Sequence, residues 1–185
     1  MCFPRPWYTY FMLRFWIALL VTMLALAGAA PAADPLVTEG RGAWDGVKNN
    51  VVRAAEKMPE ENYAFKPVPE VRSFGQLIGH IADSQFMICS AAKSEKRDPA
   101  GVEKTKTTKA DLVAALKESV SFCDSAFADL TDAKAAETVK MFGRERSRLA
   151  ALYANTSHSN EHYGNIVTYM RIKGLVPPSS EPRKK

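Results

Sequence analysis

The sequence predicts an all-α protein, a four-helix bundle preceded by an N-terminal signal peptide. Three observations predict it. Four separate stretches carry apolar residues every three or four positions, as amphipathic helices do. No stretch of any length keeps the period of two that a half-buried strand requires. Removing a leader of 32 residues from 185 leaves 153, the size of one domain. Hydrophobic residues at 46% and charged residues at 24% exclude a disordered chain, a collagen-like fibre and a polytopic membrane protein. Three cysteines are too few for a disulfide-built scaffold.

The leader is residues 1–32. Arg5 and Arg14 precede an uncharged apolar run, Phe15 to Ala27, and small residues follow through Ala33. A positive start, an apolar stretch and an Ala-x-Ala site, here Ala30-Pro31-Ala32, describe a secretory signal peptide cut after Ala32. The competing reading is an uncleaved membrane anchor, although Arg14 leaves a run shorter than the roughly 20 residues a spanning helix needs. Export places the mature chain in the periplasm or outside the cell. No second apolar run of spanning length supports stable membrane association after cleavage. Cys89 and Cys123 then sit in a compartment that permits disulfides; they could pair across neighbouring helices or lie as separate buried thiols, and the thiols are the preferred reading.

Residues 33–180 form the predicted bundle. In the first helix, Arg41–Met58, the apolar residues are Trp44, Val47, Val51, Ala54, Ala55 and Met58. Pro67 and Pro69 then block helix continuation. Ser73-Phe74-Gly75-Gln76 has the form of a capping box and opens a second helix to about Lys93. Lys93–Lys109, polar and broken by Pro99 and Gly101, reads as a solvated loop. Thr108 and Asp111 begin a third helix, with Leu112, Leu116, Val120, Cys123, Phe127 and Leu130 in clean period. Thr138–Gly143 reads as a short strand ending in a turn or as irregular chain. The last helix runs from about Glu145 to Lys173, and Gly174 with Pro177 and Pro178 forms its stop signal. The tail 181–185 is expected to be loose.

The chain's three histidines carry most of the functional information. His158 and His162 are four apart, so both project from one helix face, one turn apart. With each residue advancing about 100°, Asn155, His162, Asn165 and Tyr169 all fall within about 60° of His158, beside a core side that includes Leu152, Tyr163, Ile166 and Met170. On the second helix His80 likewise borders the apolar side, next to Ser84 and Met87. Packing those two sides together brings three imidazoles to one mouth, where they could bind one cation; the same spacing also occurs in surface or hydrogen-bonded histidines. Spacing fixes no fourth ligand. Glu161 could orient an imidazole or simply face solvent.

The stretch Val71–Asp83, containing Ser73-Phe74-Gly75-Gln76-Leu77-Ile78-Gly79-His80, and the stretch His158–Arg171, containing His158-Ser159-Asn160-Glu161-His162-Tyr163-Gly164-Asn165, resemble the second-helix and last-helix motifs of the DinB (DNA-damage-inducible) family of metal-binding four-helix bundles. The resemblance implies that His80, His158 and His162 hold one divalent metal ion, with zinc, nickel, iron and manganese as candidates. It further implies a metal-dependent hydrolase or a thiol-transferase-like enzyme acting on a small molecule; the alternative is a non-catalytic metal-binding or stress-associated binding protein. Relatives are commonly cytoplasmic, so export makes a cytosolic thiol cosubstrate a poorer fit. No catalytic residue beyond the metal ligands is identified.

Three neutral imidazoles leave coordination positions open, as catalytic metals require. Arg144, Arg146 and Arg148 could steer an anionic substrate or serve as a solubilising helix start. With Arg5 and Arg14 removed the formal charge falls from +5 to about +3, spread along the chain with no recognition-helix pattern, so no nucleic-acid partner is expected. A homodimer stays open.

Overall fold

The computed structural model describes residues 34–128 and 130–182. Helices α1 (Pro35–Lys57), α2 (Phe74–Lys93), α3 (Val102–Thr105), α4 (Lys109–Phe127) and α5 (Asp132–Ala135) are followed by strands β1 (Thr138–Met141) and β2 (Arg144–Ser147) and by helix α6 (Arg148–Ile172). Single 3-10 turns occur at Glu60–Asn62 and Pro178–Ser180. The expected leader, 1–32, lies outside the described residues. Among the described residues no helix is long and apolar enough to cross a membrane.

The four long helices, α1, α2, α4 and α6, form the body. Both α1 and α2 pack against α4 and α6, so α1 and α2 are diagonal to each other. Helix α1 starts at Pro35, six residues before the expected Arg41. Proline suits the first helical position, and the first amides find their acceptor far along the chain. The Asp132 carboxylate accepts from the backbone amides of Leu36 at 3.3 Å and Val37 at 2.9 Å. Asp34 returns the contact, its carboxylate accepting from the Asp132 amide at 2.7 Å. Local pattern cannot signal a cap that comes from so distant a residue.

Helix α2 begins as expected. Ser73 Oγ accepts from the Gln76 amide at 3.2 Å, and the Ser73 amide donates to Gln76 Oε1 at 2.8 Å. Thr108 caps α4 by accepting from the Asp111 amide at 3.1 Å. Helix α6 is closed by Gly174, whose φ of +72° is a left-handed turn that a side chain would strain. The Leu175 amide there donates to Met170 O at 2.9 Å.

Of the two readings of Thr138–Gly143, the short strand ending in a turn is the one present, and a second strand that the sequence did not suggest follows it. Two antiparallel strands pair there, with Thr138 opposite Ser147 and Met141 opposite Arg144. Phe142 and Gly143 turn the chain with φ of +52° and +75°, the two positive values that a tight hairpin loop needs. Val139 and Met141 supply the buried face, so β2 stands beside them as Arg-Glu-Arg-Ser, without an apolar alternation of its own. Helix α6 therefore begins at Arg148, not Glu145, and its amide cap is Ser147, which accepts from Ala150 at 3.2 Å. Arg144 and Arg146 lie on a strand and not on a helix start. Arg148 is tied down by Glu137 at 2.8 Å and by the carbonyls of Lys134 and Ala92.

The core falls into two buried clusters. One contains Val51, Met58, Phe74, Ile78, Ile81, Leu112, Leu116, Ile166 and Met170. The other contains Trp44, Ile88, Phe127, Val139, Met141 and Leu152 together with Cys89 and Cys123. Those cysteines are disulfide-bonded, with Cα atoms 5.3 Å apart, across α2 and α4; the preference for separate thiols is corrected. The helical spacing that buried each sulfur also aimed the two at each other. At the level between the clusters runs a polar ladder that the apolar pattern did not reveal. Ser119 Oγ donates to Gln85 Oε1 at 2.7 Å, and Gln85 Nε2 donates to Ser159 Oγ at 3.3 Å. The tail is not loose at its start: Glu181 pairs with Lys57 at 2.6 Å and with Arg53. Residues 183–185 lie outside the described residues.

Candidate metal centre

His80 stands in the second turn of α2, and His158 and His162 stand one turn apart in α6. Antiparallel packing of these helices brings their rings together, with centroids 4.4 to 5.2 Å apart. His158 Nε2 lies 3.3 Å from His80 Nε2 and 3.1 Å from His162 Nε2. Metal–imidazole bonds of about 2.0–2.1 Å around a tetrahedral ion would set such nitrogens about 3.3 Å apart. All three ligand atoms lie within 4.8 Å of one another. Among the described residues no further histidine, cysteine or carboxylate joins the cluster.

The hydrogen bonds fix which ring atoms face inward. His80 Nδ1 donates to Glu103 Oε2 at 3.0 Å, so Nε2 is the nitrogen turned to the other rings. His162 Nδ1 lies 3.4 Å from the Asn165 side-chain amide. His158 Nδ1 is buried without a partner. Each Nε2 offers either one proton or one lone pair, so three of them cannot all be paired with one another. A cation at their centre satisfies all three, and in this sense the residues fit one.

Burial and neighbouring charge favour the neutral, ligating form of His158 and His162. Burial pushes the His162 imidazolium down to about 4, helped by the adjacent His158 and His80 and opposed by Glu161. Burial and the nearby His80 lower His158 as well. For Glu103, burial pulls upward, but the hydrogen bond and charge of Arg72 and the contact with His80 outweigh it, holding the carboxyl below its ordinary range.

Glu103 is the functional residue that the sequence reading missed, since it sat in the expected solvated loop. Its placement depends on α2. A Cβ on Gly79 would lie 2.7 Å from Glu103 Cα and 2.9 Å from its amide nitrogen, so only glycine lets α3 sit this close to α2. Asp83 then accepts from the amides of Val102 at 2.8 Å and Glu103 at 3.0 Å, which anchors the turn. A carboxylate that orients a ligating imidazole in this way raises its basicity. Gly79 and Asp83, both unusual in a helix interior, were the available signals. Glu161 is exposed and hydrogen-bonds neither ring. Asn155, placed in a polar stripe by its angle, is fully buried one turn before His158, and neither side-chain atom has a partner.

A sequence profile of the DinB superfamily matches residues 43–166. Uncharacterized protein YjoA of Bacillus subtilis is 25% identical over 130 residues, spanning 69% of this chain and 84% of its own. Among solved structures, a DinB-like protein of Bacillus cereus superposes with a TM-score of 0.67 at 18% identity, covering 75% of this chain and 93% of that one. The DinB-like YjoA of Bacillus subtilis gives 0.62 at 23% identity, over 81% and 99%. These structural likenesses concern the fold.

Proposed function

The chain belongs to the DinB superfamily, and from that premise we propose that it is a metal-dependent enzyme acting on a small molecule, with one divalent ion held by the Nε2 atoms of His80, His158 and His162. The observation that carries this reading is the convergence of three inward-facing ring nitrogens, one of them oriented by Glu103. When bound, such an ion supplies a Lewis acid and lowers the pKa of a coordinated water, chemistry that serves hydrolysis or the delivery of a thiolate.

The chain's own residues do the rest. Burial keeps His158 and His162 uncharged. Glu103 holds the proton on His80 Nδ1, and Arg72, bonded to Glu103 at 2.8 Å, fixes that carboxylate. The disulfide between Cys89 and Cys123 supports an oxidising compartment, in keeping with export. A second reading, metal binding without turnover, is favoured by one observation: Glu103 is already committed to Arg72 and His80, so it is not free to act as a general base.

Elemental analysis of the purified protein and of His158→Ala tests the site. One equivalent of metal per chain is expected in the first, with an affinity loss of at least about 100-fold in the second. Unchanged stoichiometry and affinity in His158→Ala, with its helical circular dichroism intact, would overturn the assignment. Metal-dependent conversion of esters, amides or electrophile–thiol pairs then separates enzyme from binder.

A further inference from the structure

A cavity of about 830 Å³ opens beside the histidine cluster, with His80 in its wall. The range for small-molecule sites is about 300–1,000 Å³. Its floor is the outer side of α2, where Ser84, Met87 and Ala91 follow His80 at helical spacing; its rim is the chain from Glu95 to Lys104 together with Lys140 of β1.

Four acidic and four basic side chains line this cavity, and what distinguishes them is which are already engaged. Asp83 spends both oxygens on the amides of Val102 and Glu103. Glu103 holds Arg72 and His80, and Glu95 pairs with Lys93 at 3.0 Å. Arg97 is committed too, its guanidinium 3.9 Å from the Phe86 ring centre and bonded to Glu118 at 3.1 Å. The side chains of Lys96, Lys104 and Lys140 have no hydrogen-bond or ion-pair partner among the described residues, and of the lining carboxylates only Asp98 is likewise unengaged. Two further features point to a ligand. Ser90, only 5% exposed, lines the cavity with an unpartnered hydroxyl. Met87, 52% exposed, offers an apolar floor.

We propose that this cavity is the substrate pocket of the histidine site and that it takes a small organic anion. The apolar body lies over Met87, and the carboxylate or phosphate is held among Lys96, Lys104 and Lys140. The link to catalysis rests on the metal reading above; the selection of anions does not.

The test uses two fluorescent probes with the same apolar body, 8-anilinonaphthalene-1-sulfonate and the uncharged N-phenyl-1-naphthylamine, titrated into the full chain at low salt. The sulfonate is expected to bind at least about ten-fold tighter, with the difference shrinking as salt is added. Combining Lys96→Gln, Lys104→Gln and Lys140→Gln, all exposed and so harmless to folding, erases that preference. Met87→Glu weakens the sulfonate with the lysines intact. In Co(II)-loaded protein the sulfonate shifts the visible absorption of the ion. Equal binding of the two probes, a triple variant that still prefers the anion, or an unmoved Co(II) spectrum would each overturn the proposal. Protein that takes up no Co(II) sinks the metal reading instead, and the two-probe titration still decides whether the cavity selects anions.

Discussion

The two ends of the bundle are held by different means. At one end a covalent bond joins α2 to α4, and fully buried Trp44 packs beside it with its Nε1 donating to Asp124 at 2.7 Å. At the other end the larger apolar cluster, with Met58, Phe74, Ile78 and Ile166, is supplemented by polar ties: Glu103 on His80, Asp83 on the α3 amides, and Glu181 on Arg53 and Lys57. The candidate metal centre lies in the second half, and no covalent tie crosses from α2 to α6 there. Rigidity and chemistry are thus placed at opposite ends of the same helix, α2. Coordinating groups can adjust to a ligand without loosening the end that keeps the fold together.

The largest effect that can break this comparison comes from the disulfide. Replacing both Cys89 and Cys123 by alanine opens a closed loop with a sequence separation of 34 residues. A stability loss of about 3–4 kcal/mol is expected in urea unfolding. Metal stoichiometry under native conditions should be unchanged; if it falls, the two ends are not independent.

Gly79→Ala should come next. Its Cβ would meet Glu103 backbone at 2.7 Å, and forcing α3 away is expected to cost about 1–3 kcal/mol together with a loss of metal affinity. Gly46→Ala is the control in α1. Nothing lies within 4 Å of that added Cβ, so it should raise stability by about 0.5–1 kcal/mol. Equal effects from the two substitutions would remove the case for a packed α2–α3 contact.

Glu103→Gln sharpens the comparison from the polar side. Metal affinity, read by competition with a chelator, should weaken about 10–100-fold with the unfolding midpoint of the metal-free protein nearly unmoved. A collapse of stability in its place would make Glu103 a structural residue.

The smallest effect belongs to Glu181. Its hydrogen bond and charge interaction with Lys57, joined by Arg53, outweigh desolvation and hold its carboxyl below the ordinary value. A folded-state pKa lowered in this way adds stability that is present above the unfolded pKa and lost as pH falls through the folded one. The thermal midpoint of the parent should therefore exceed that of Glu181→Gln slightly at pH 7, converge with it on acidification, and converge again in high salt. A pH-independent gap would contradict the ion-pair account.

Local signals carried the four long helices. Ser73 and Gln76 announce the start of α2, Gly174 announces the end of α6, and the four-residue spacing of His158 and His162 puts both rings on one face. What escaped was set by partners outside each segment, near or far along the chain. The start of α1 is fixed by Asp132, and β2 is fixed by the pairing of Arg144–Ser147 with Thr138–Met141. Glu103 could not be read from its own charged neighbourhood, because its role comes from the room that Gly79 leaves and the anchor that Asp83 provides. The disulfide likewise depends on helix phase, which apolar spacing defines only to within a side-chain width.

The arrangement of α2 gives the metal a mechanical meaning. This helix is bolted to α4 by sulfur at one end, while beyond the Gln85–Ser159 hydrogen bond it meets α6 through packing and three rings. A cation gripped by those rings would act as a removable rivet, adding its binding free energy to the closed state alone. Stripping the ion should then let α6 breathe away from α2 near His158 while the Trp44 end stays shut. Hydrogen exchange would register that gradient along a single helix.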